Sequence, residues 1–61
     1  MVAVKAMLVK EGSRWHICVA SPFKGPAPIA TASTPSEAIA ALTGQLEALL
    51  GTQVILLLEA P

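Results

Sequence analysis

Side chains able to do chemistry near neutral pH are scarce in this sequence. Its 61 residues include one histidine and one cysteine, and it has no aspartate, asparagine or tyrosine. His16 and Cys18 stand two residues apart, a spacing that places both side chains on one face of a strand. Such a pair can act as base and nucleophile, or supply one nitrogen and one sulfur ligand to a metal ion.

The count of ligands argues against a metal site at this pair. A structural zinc ion takes four ligands, and the sequence has no further histidine or cysteine to complete the set. We therefore expect His16 to be a half-buried histidine beside a structural Cys18. The sequence predicts no catalytic residue, no metal, no cofactor and no enzymatic activity.

Composition and charge exclude two classes of protein for this chain. Hydrophobic residues make up 54% of the chain and charged residues 13%, whereas globular proteins carry about 25% charged residues. This composition excludes a disordered chain. Four Lys and Arg residues balance four Glu residues, so a protein that must neutralise many phosphates is also excluded. We expect no nucleic-acid partner.

The length predicts a single domain over residues 1–61. A lone Cys18 cannot close an intramolecular disulfide, which favours a reducing, cytoplasmic setting. The longest strictly aliphatic run covers residues 54–58, far short of the roughly 20 residues of a transmembrane helix. Lysines interrupt the apolar N-terminal stretch, which argues against a signal peptide. We expect a cytoplasmic protein without membrane contact.

Two segments near the N-terminus, residues 2–10 and 13–21, alternate with the periodicity of strands. A two-residue loop at Glu11-Gly12 is predicted to join them, because glycine supplies the positive φ of a tight hairpin. This register pairs three apolar residues of each strand on one face: Leu8 with Trp15, Ala6 with Ile17, and Val4 with Val19. We expect this face to pack against a helix.

Residues 21–28 contain three prolines and a glycine, which exclude both a helix and a central strand. A stiff loop of this kind presents side chains at little entropic cost. We therefore predict that Phe23, Lys24 and Gly25 contact a partner protein. The alternative is an ordinary loop whose Phe23 folds back onto the sheet edge. Residues 28–33 then suit a short edge strand.

The strongest local signal in the chain is a helix start. Thr34, Pro35 and Glu37 have the N-cap, N1 and N3 residue types of a capping box. The predicted helix covers residues 35–50, and Gly51 ends it.

Two sides of this helix differ in composition. Apolar residues at spacings of three and four predict a core-facing stripe: Ile39, Leu42, Leu46 and Leu49. Small residues recur at four-residue spacing on another side: Ala40, Gly44 and Ala48. Either these let another backbone approach closely, or they reflect the helix propensity of alanine on an exposed face.

Residues 52–59 predict a final strand that is apolar on both parities. Such a strand is normally buried on both faces or paired with another chain. One helix covers only one face of a four-stranded sheet, so the other face also needs cover. We expect a homo-oligomer, a dimer or larger, with Val54, Ile55 and Leu57 at its interface.

Three motifs together are typical of a known family. They are Glu11-Gly12 ahead of Trp15 and Ile17, the segment S-P-F-K-G-P at residues 21–26, and the segment T-P-S-E-A-I at residues 34–39. In these the chain resembles the N-terminal domain of HicB-type antitoxins and related small stand-alone proteins, over nearly its whole length. The resemblance implies an α+β fold with a two-layer β-β-β-α-β arrangement, in which one helix packs on one face of a four-stranded mixed sheet.

The resemblance also implies a function. It indicates a non-enzymatic protein-interaction module that masks a partner, a small toxin protein. Two other hypotheses stay open: a stand-alone homo-oligomer whose apolar interior binds a small ligand, and an enzyme that uses His16 and Cys18. A neighbouring gene for a small basic protein would favour the antitoxin, whereas a closed apolar pocket in a dimer would favour ligand binding.

Overall fold

The computed structural model describes residues 1–20, 22 and 25–59, which form one sheet and one helix. The elements are β1 Val2–Glu11, β2 Arg14–Val19, β3 Ile29–Ala32, α1 Pro35–Leu50 and β4 Val54–Glu59. This order confirms the expected α+β fold with its two-layer β-β-β-α-β arrangement. The helix also begins and ends at the predicted residues.

The four strands lie in the order β3-β2-β1-β4. β1 pairs with β2 antiparallel and with β4 parallel, while β2 pairs with β3 antiparallel, so the sheet is mixed as expected. β3 and β4 therefore run in the same direction at opposite edges. α1 connects these edges and packs against β2, β3 and β4. This single crossing covers one face and leaves the other without a covering element among the described residues.

The hairpin loop lies one residue later than predicted. Glu11 pairs with Arg14, so the loop residues are Gly12 and Ser13 rather than Glu11 and Gly12. Gly12 has a φ of 62°. A glycine followed by serine is typical of a two-residue loop with a type II′ turn, in which only the first loop residue needs a positive φ.

The register of the hairpin changes with the loop, so the predicted pairs are wrong. The observed pairs on the helix side are Ala6 with Val19, Leu8 with Ile17, and Lys10 with Trp15. Each partner has moved by two residues, and side chains alternate between faces with a period of two. The predicted face of each apolar residue is therefore correct although its partner is not.

α1 begins at the predicted cap. Thr34 is extended, with φ −129° and ψ 152°, and its hydroxyl accepts the N–H of Glu37 at 3.2 Å. The same hydroxyl donates to the Glu37 carboxylate at 2.9 Å. In a complete capping box that carboxylate accepts the N–H of the N-cap residue instead. The observed cap is thus half of a capping box, with the second bond made between the two side chains.

Replacing Thr34 with alanine is expected to lower the free energy of unfolding by about 1 kcal/mol, because the N–H of Glu37 loses its acceptor. Chemical denaturation followed by circular dichroism measures this as a lower midpoint with an unchanged slope. Ser36→Ala is the matched control, since Ser36 is exposed within the first turn. An unchanged midpoint for Thr34→Ala would show that Thr34 is not the N-cap.

The glycine inside α1 and the glycine that ends it are expected to respond in opposite ways to replacement by alanine. Gly44 lies in mid-helix, and a Cβ added there meets nothing within 4 Å, so Gly44→Ala should raise the free energy of unfolding by about 1 kcal/mol. Gly51 ends the helix with a φ of 67°, where alanine costs about 1–2 kcal/mol. Urea unfolding measures the free energy of unfolding of both variants. A loss of stability in Gly44→Ala would indicate that another backbone packs closely against this side of α1.

The core lies between α1 and the sheet. Its buried residues are Val4, Ala6, Ile17, Ala30, Ala38, Leu42, Leu46 and Val54. Ile17, Leu42 and Leu46 are the largest fully buried side chains, and Trp15 packs half-buried against the same cluster. This confirms the predicted grouping of these four residues. Within the described residues, no helix is long and apolar enough to span a membrane.

The prediction that Leu49 lies in the core is wrong, since its side chain is 63% exposed. It points to the same side of the helix as Leu42, two turns earlier. Its exposure therefore indicates that the last turn of α1 extends past the strands it packs on. The predicted core-facing stripe also does not include Ala38, although Ala38 is fully buried near the start of α1.

Candidate functional site

The candidate site is the sheet face opposite α1, which we name the open face. Side chains alternate between the two faces of a sheet, and those packed toward α1 include Val4, Ile17 and Ala30. The open face holds the residues of the other parity. Its apolar members are Ala3, Met7, Val9, Cys18, Ile29, Ile55 and Leu57, and its polar members are Lys5, Glu11, Arg14, His16, Thr31 and Glu59.

Three aliphatic side chains of the open face reach far into solvent. Ile29 is 66% exposed, Ile55 45% and Leu57 48%, while Met7 and Val9 between them are half-buried. Fully burying one aliphatic side chain stabilises a protein by about 1.5–3 kcal/mol. Covering this face would therefore contribute a large favourable free energy. The exposure of Ile29 could not be predicted from the sequence, because the four residues of β3 are too few to show a periodicity.

The structure separates the three residues expected at an oligomer interface. Ile55 and Leu57 lie on the open face, beside Ala3 and Lys5 of β1. Val54 is only 5% exposed and belongs to the core beneath α1, so it does not share a surface with the other two. Among the other apolar residues of β4, Leu56 packs against the core, whereas Leu58 shares the helix side but is 48% exposed.

His16 and Cys18 share the open face, as their spacing predicts. The ring nitrogen Nδ1 of His16 and the hydroxyl of Thr31 share a hydrogen bond of 3.2 Å between β2 and β3. Cys18 is half-buried and has Met7 and Ile29 as its register partners. In the part of the chain that the structure describes, no three His, Cys, Asp or Glu side chains cluster to hold a metal ion. The prediction that His16 is half-buried is wrong, since its side chain is exposed at the surface of the sheet, whereas Cys18 is half-buried.

Two of the three residues predicted to contact a partner, Phe23 and Lys24, lie outside the described residues. The third, Gly25, is exposed with a φ of 81°, a conformation that favours glycine. The flanking Pro22 and Pro26 are also exposed. Partner contact by Phe23, Lys24 and Gly25 stays a prediction.

A side chain of α1 partly closes the outer edge of β4. The N–H of Val2 donates to the C=O of Gln53 at 2.8 Å. The C=O of Gln53 therefore points toward β1 in this parallel pair. The N–H of Val54 points the other way, and the Glu47 carboxylate accepts it at 3.0 Å. The first outward N–H of the edge is therefore already occupied, which leaves fewer groups for another strand.

The open face carries charges of both signs. Glu11 and Arg14 are register partners at the hairpin end. Lys5 lies beside Leu57, and Glu59 follows two residues later on β4. Lys5 and Glu59 are therefore diagonal neighbours across this parallel pair, within the apolar part of the face. Net charge alone does not show this arrangement, because it depends on how β1 and β4 pair.

A shallow, open depression at the end of α1 is lined by Glu47, Gly51, Thr52 and Gln53. The N-terminal ammonium of Met1 donates to the Thr52 hydroxyl at 3.3 Å. Ligand pockets for small apolar molecules are concave and mostly lined by hydrophobic side chains. The polar lining of this depression does not match such a ligand.

The resemblance to HicB-type antitoxin domains is a prediction from the sequence motifs given above. The fold implied by the resemblance to HicB-type antitoxin domains is the fold observed, whereas the family and its toxin partner stay predictions. Comparisons with protein-family models, with curated proteins and with solved structures each found no match for this chain.

Proposed function

We propose that this chain is a non-enzymatic protein-interaction module whose contact surface is the open face. The supporting observation is the exposure of Ile29, Ile55 and Leu57 on one continuous sheet face. Strand spacings of about 4.8 Å and a rise of about 3.3 Å per residue give the face a footprint on the order of 400 Å². This footprint includes polar side chains as well as the apolar ones. Apolar patches of about 300–600 Å² on monomeric proteins are often functional, which supports a role in contact with another protein.

The finer proposal is that the chain acts as an antitoxin that masks a small toxin protein. The resemblance to HicB-type antitoxin domains supports this partner. Masking requires only complementary contact, so the antitoxin needs no catalytic residue of its own. The residues proposed to contact the toxin are Phe23, Lys24 and Gly25, on a loop whose flanking prolines, Pro22 and Pro26, limit the entropy lost on binding.

Co-expression tests the proposed function. The reading frame next to this gene supplies the candidate toxin, which is expressed alone and together with this chain. The expected result is growth arrest by the neighbour's product, relief of the arrest by this chain, and co-purification of the two proteins. Arrest that this chain does not relieve, or a neighbour that arrests nothing, would contradict the proposal.

A loop variant locates the toxin contact. Phe23→Ala is expected to weaken both relief of growth arrest and co-purification. Leu49→Ala is the matched control, since Leu49 is an exposed apolar residue on α1. Equal relief by the Phe23 variant and the unchanged chain would remove the loop from the proposed contact.

A further inference from the structure

We propose that the open face is covered by the open face of a second copy of this chain. The two sheets form a two-fold symmetric sandwich in which Lys5 of each copy meets the partner's Glu59. This inference deepens the proposed interaction role, on which it rests, by naming what covers the open face. The toxin would then bind to a dimer, at the loop that holds Gly25.

The size of the open face fits another sheet of the same size. Two packed sheets lie about 10 Å apart with their inner side chains interdigitated. Stable protein pairs bury about 800 Å² of accessible surface on each partner. The footprint of the open face, on the order of 400 Å², is smaller than this, so a stable pair requires a partner that covers all four strands, including the projecting Ile29, Ile55 and Leu57 side chains. A short peptide or one helix would leave part of the face in water.

Charge on the open face is self-complementary. A two-fold interface places the same surface on both partners. Each charge on that surface must therefore meet a charge of the opposite sign that the same surface also carries. Lys5 and Glu59 are the only charges amid the apolar part of the described face, and they are diagonal neighbours across β1 and β4. A two-fold axis lying in the face between them brings each Lys5 beside the partner's Glu59. A face with one sign of charge would repel its own copy.

Pairing through the edge of β4 is the less favourable way to join two copies. The Glu47 carboxylate holds the outward N–H of Val54 at 3.0 Å, so an added strand would have to displace it or leave that bond unmade. Edge pairing would also extend the sheet sideways and leave Ile29, Ile55 and Leu57 in water. Packing of the two open faces covers these residues without disturbing Glu47.

Sedimentation velocity on purified protein tests the dimer. At micromolar concentration the unchanged chain is expected to sediment with twice the 6.3 kDa mass of one chain. Leu57→Lys places an ammonium in the covered face and should give the monomer. Leu49→Lys adds the same charge at a comparably exposed leucine on α1 and should stay dimeric. A monomeric unchanged chain, or a Leu57→Lys variant that is still dimeric, would overturn the proposal.

A charge swap separates loss of the interface from loss of folding. Lys5→Glu and Glu59→Lys should each raise the dimer dissociation constant about tenfold or more, because each creates two like-charge contacts across the two-fold axis. The double variant restores opposite pairs and should bring the constant back close to that of the unchanged chain. Lys10→Glu, on the helix side, is the control. A double variant as weak as the single variants would overturn the Lys5–Glu59 contact.

Failure of the dimer and failure of the proposed function give different results. A chain that is monomeric yet relieves growth arrest in the co-expression test would contradict the dimer and leave the antitoxin role standing. A chain that dimerises through the open face but relieves no arrest would contradict the antitoxin role and leave the dimer standing. Sedimentation velocity of the unchanged chain, combined with the growth assay, distinguishes failure of the dimer from failure of the antitoxin role. The expected result is a dimer that the Leu57→Lys substitution dissociates.

Discussion

Replacing Leu42 with alanine is expected to remove most of the stability of this protein. Leu42 is fully buried between α1 and the sheet, and Leu→Ala changes in a core cost about 2–5 kcal/mol. A chain of 61 residues has a free energy of unfolding of only about 3–9 kcal/mol. Urea unfolding followed by circular dichroism should show a much lower midpoint, or no folded baseline at 25 °C.

Leu49→Ala is the matched control for this prediction. Leu49 lies on the same side of α1 but is 63% exposed, so its truncation should change the free energy of unfolding by no more than about 0.5 kcal/mol. Equal losses for Leu42→Ala and Leu49→Ala would mean that α1 packs on the sheet in a different position. A loss confined to Leu49→Ala would contradict the described core altogether.

The second large effect is expected in the dependence of thermal stability on protein concentration. When folding is coupled to pairing of two chains, mass action stabilises the folded state as concentration rises. For a domain of this size, the midpoint should rise on the order of 10 °C over about a hundredfold increase in concentration. Differential scanning calorimetry or circular dichroism melts at several concentrations measure it.

Ile55→Lys is expected to abolish this concentration dependence. Ile55 is 45% exposed on the open face, so a lysine there is tolerated by one chain but not within a covered interface. The variant should melt at one temperature regardless of concentration, below the unchanged chain. A midpoint of the unchanged chain that does not vary with concentration would contradict coupled folding and pairing.

The helix is the part of the fold that the sequence predicts best. Its start depends on Thr34 and Pro35 and its end on Gly51, and each acts through the local conformation of one or two residues. Contacts from the rest of the protein are not needed to place these ends. The extent of burial along the helix does depend on the sheet, which explains why Leu49 is exposed and Ala38 is buried.

The hydrophobic pattern of the sequence does not determine the register of the hairpin. A loop at Glu11-Gly12 and a loop at Gly12-Ser13 place the same side chains on the same faces, because the pairs differ by two residues. Apolar periodicity therefore does not distinguish them. The turn chemistry does, since Gly12 as the first loop residue, followed by Ser13, suits a type II′ turn.

The open face could be predicted only in part. Residues 54–58 are apolar at every position, so the sequence indicates burial on two sides without showing which residues share a surface. Pairing with β1 settles this by placing Val54 in the core and Ile55 and Leu57 on the open face. The role of Glu47 at the β4 edge carries no sequence signal, because it depends on α1 lying above that edge.

Labelling of Cys18 tests most directly whether a protein covers the open face. Cys18 is the single cysteine of the chain and lies half-buried between Met7 and Ile29 on that face. With excess thiol reagent, its labelling rate should fall as the concentration of the unchanged chain rises, while the Leu57→Lys variant should react at one fast rate throughout. Equal, concentration-independent rates in the two proteins, both folded, would show that the open face is free in solution and would contradict the account.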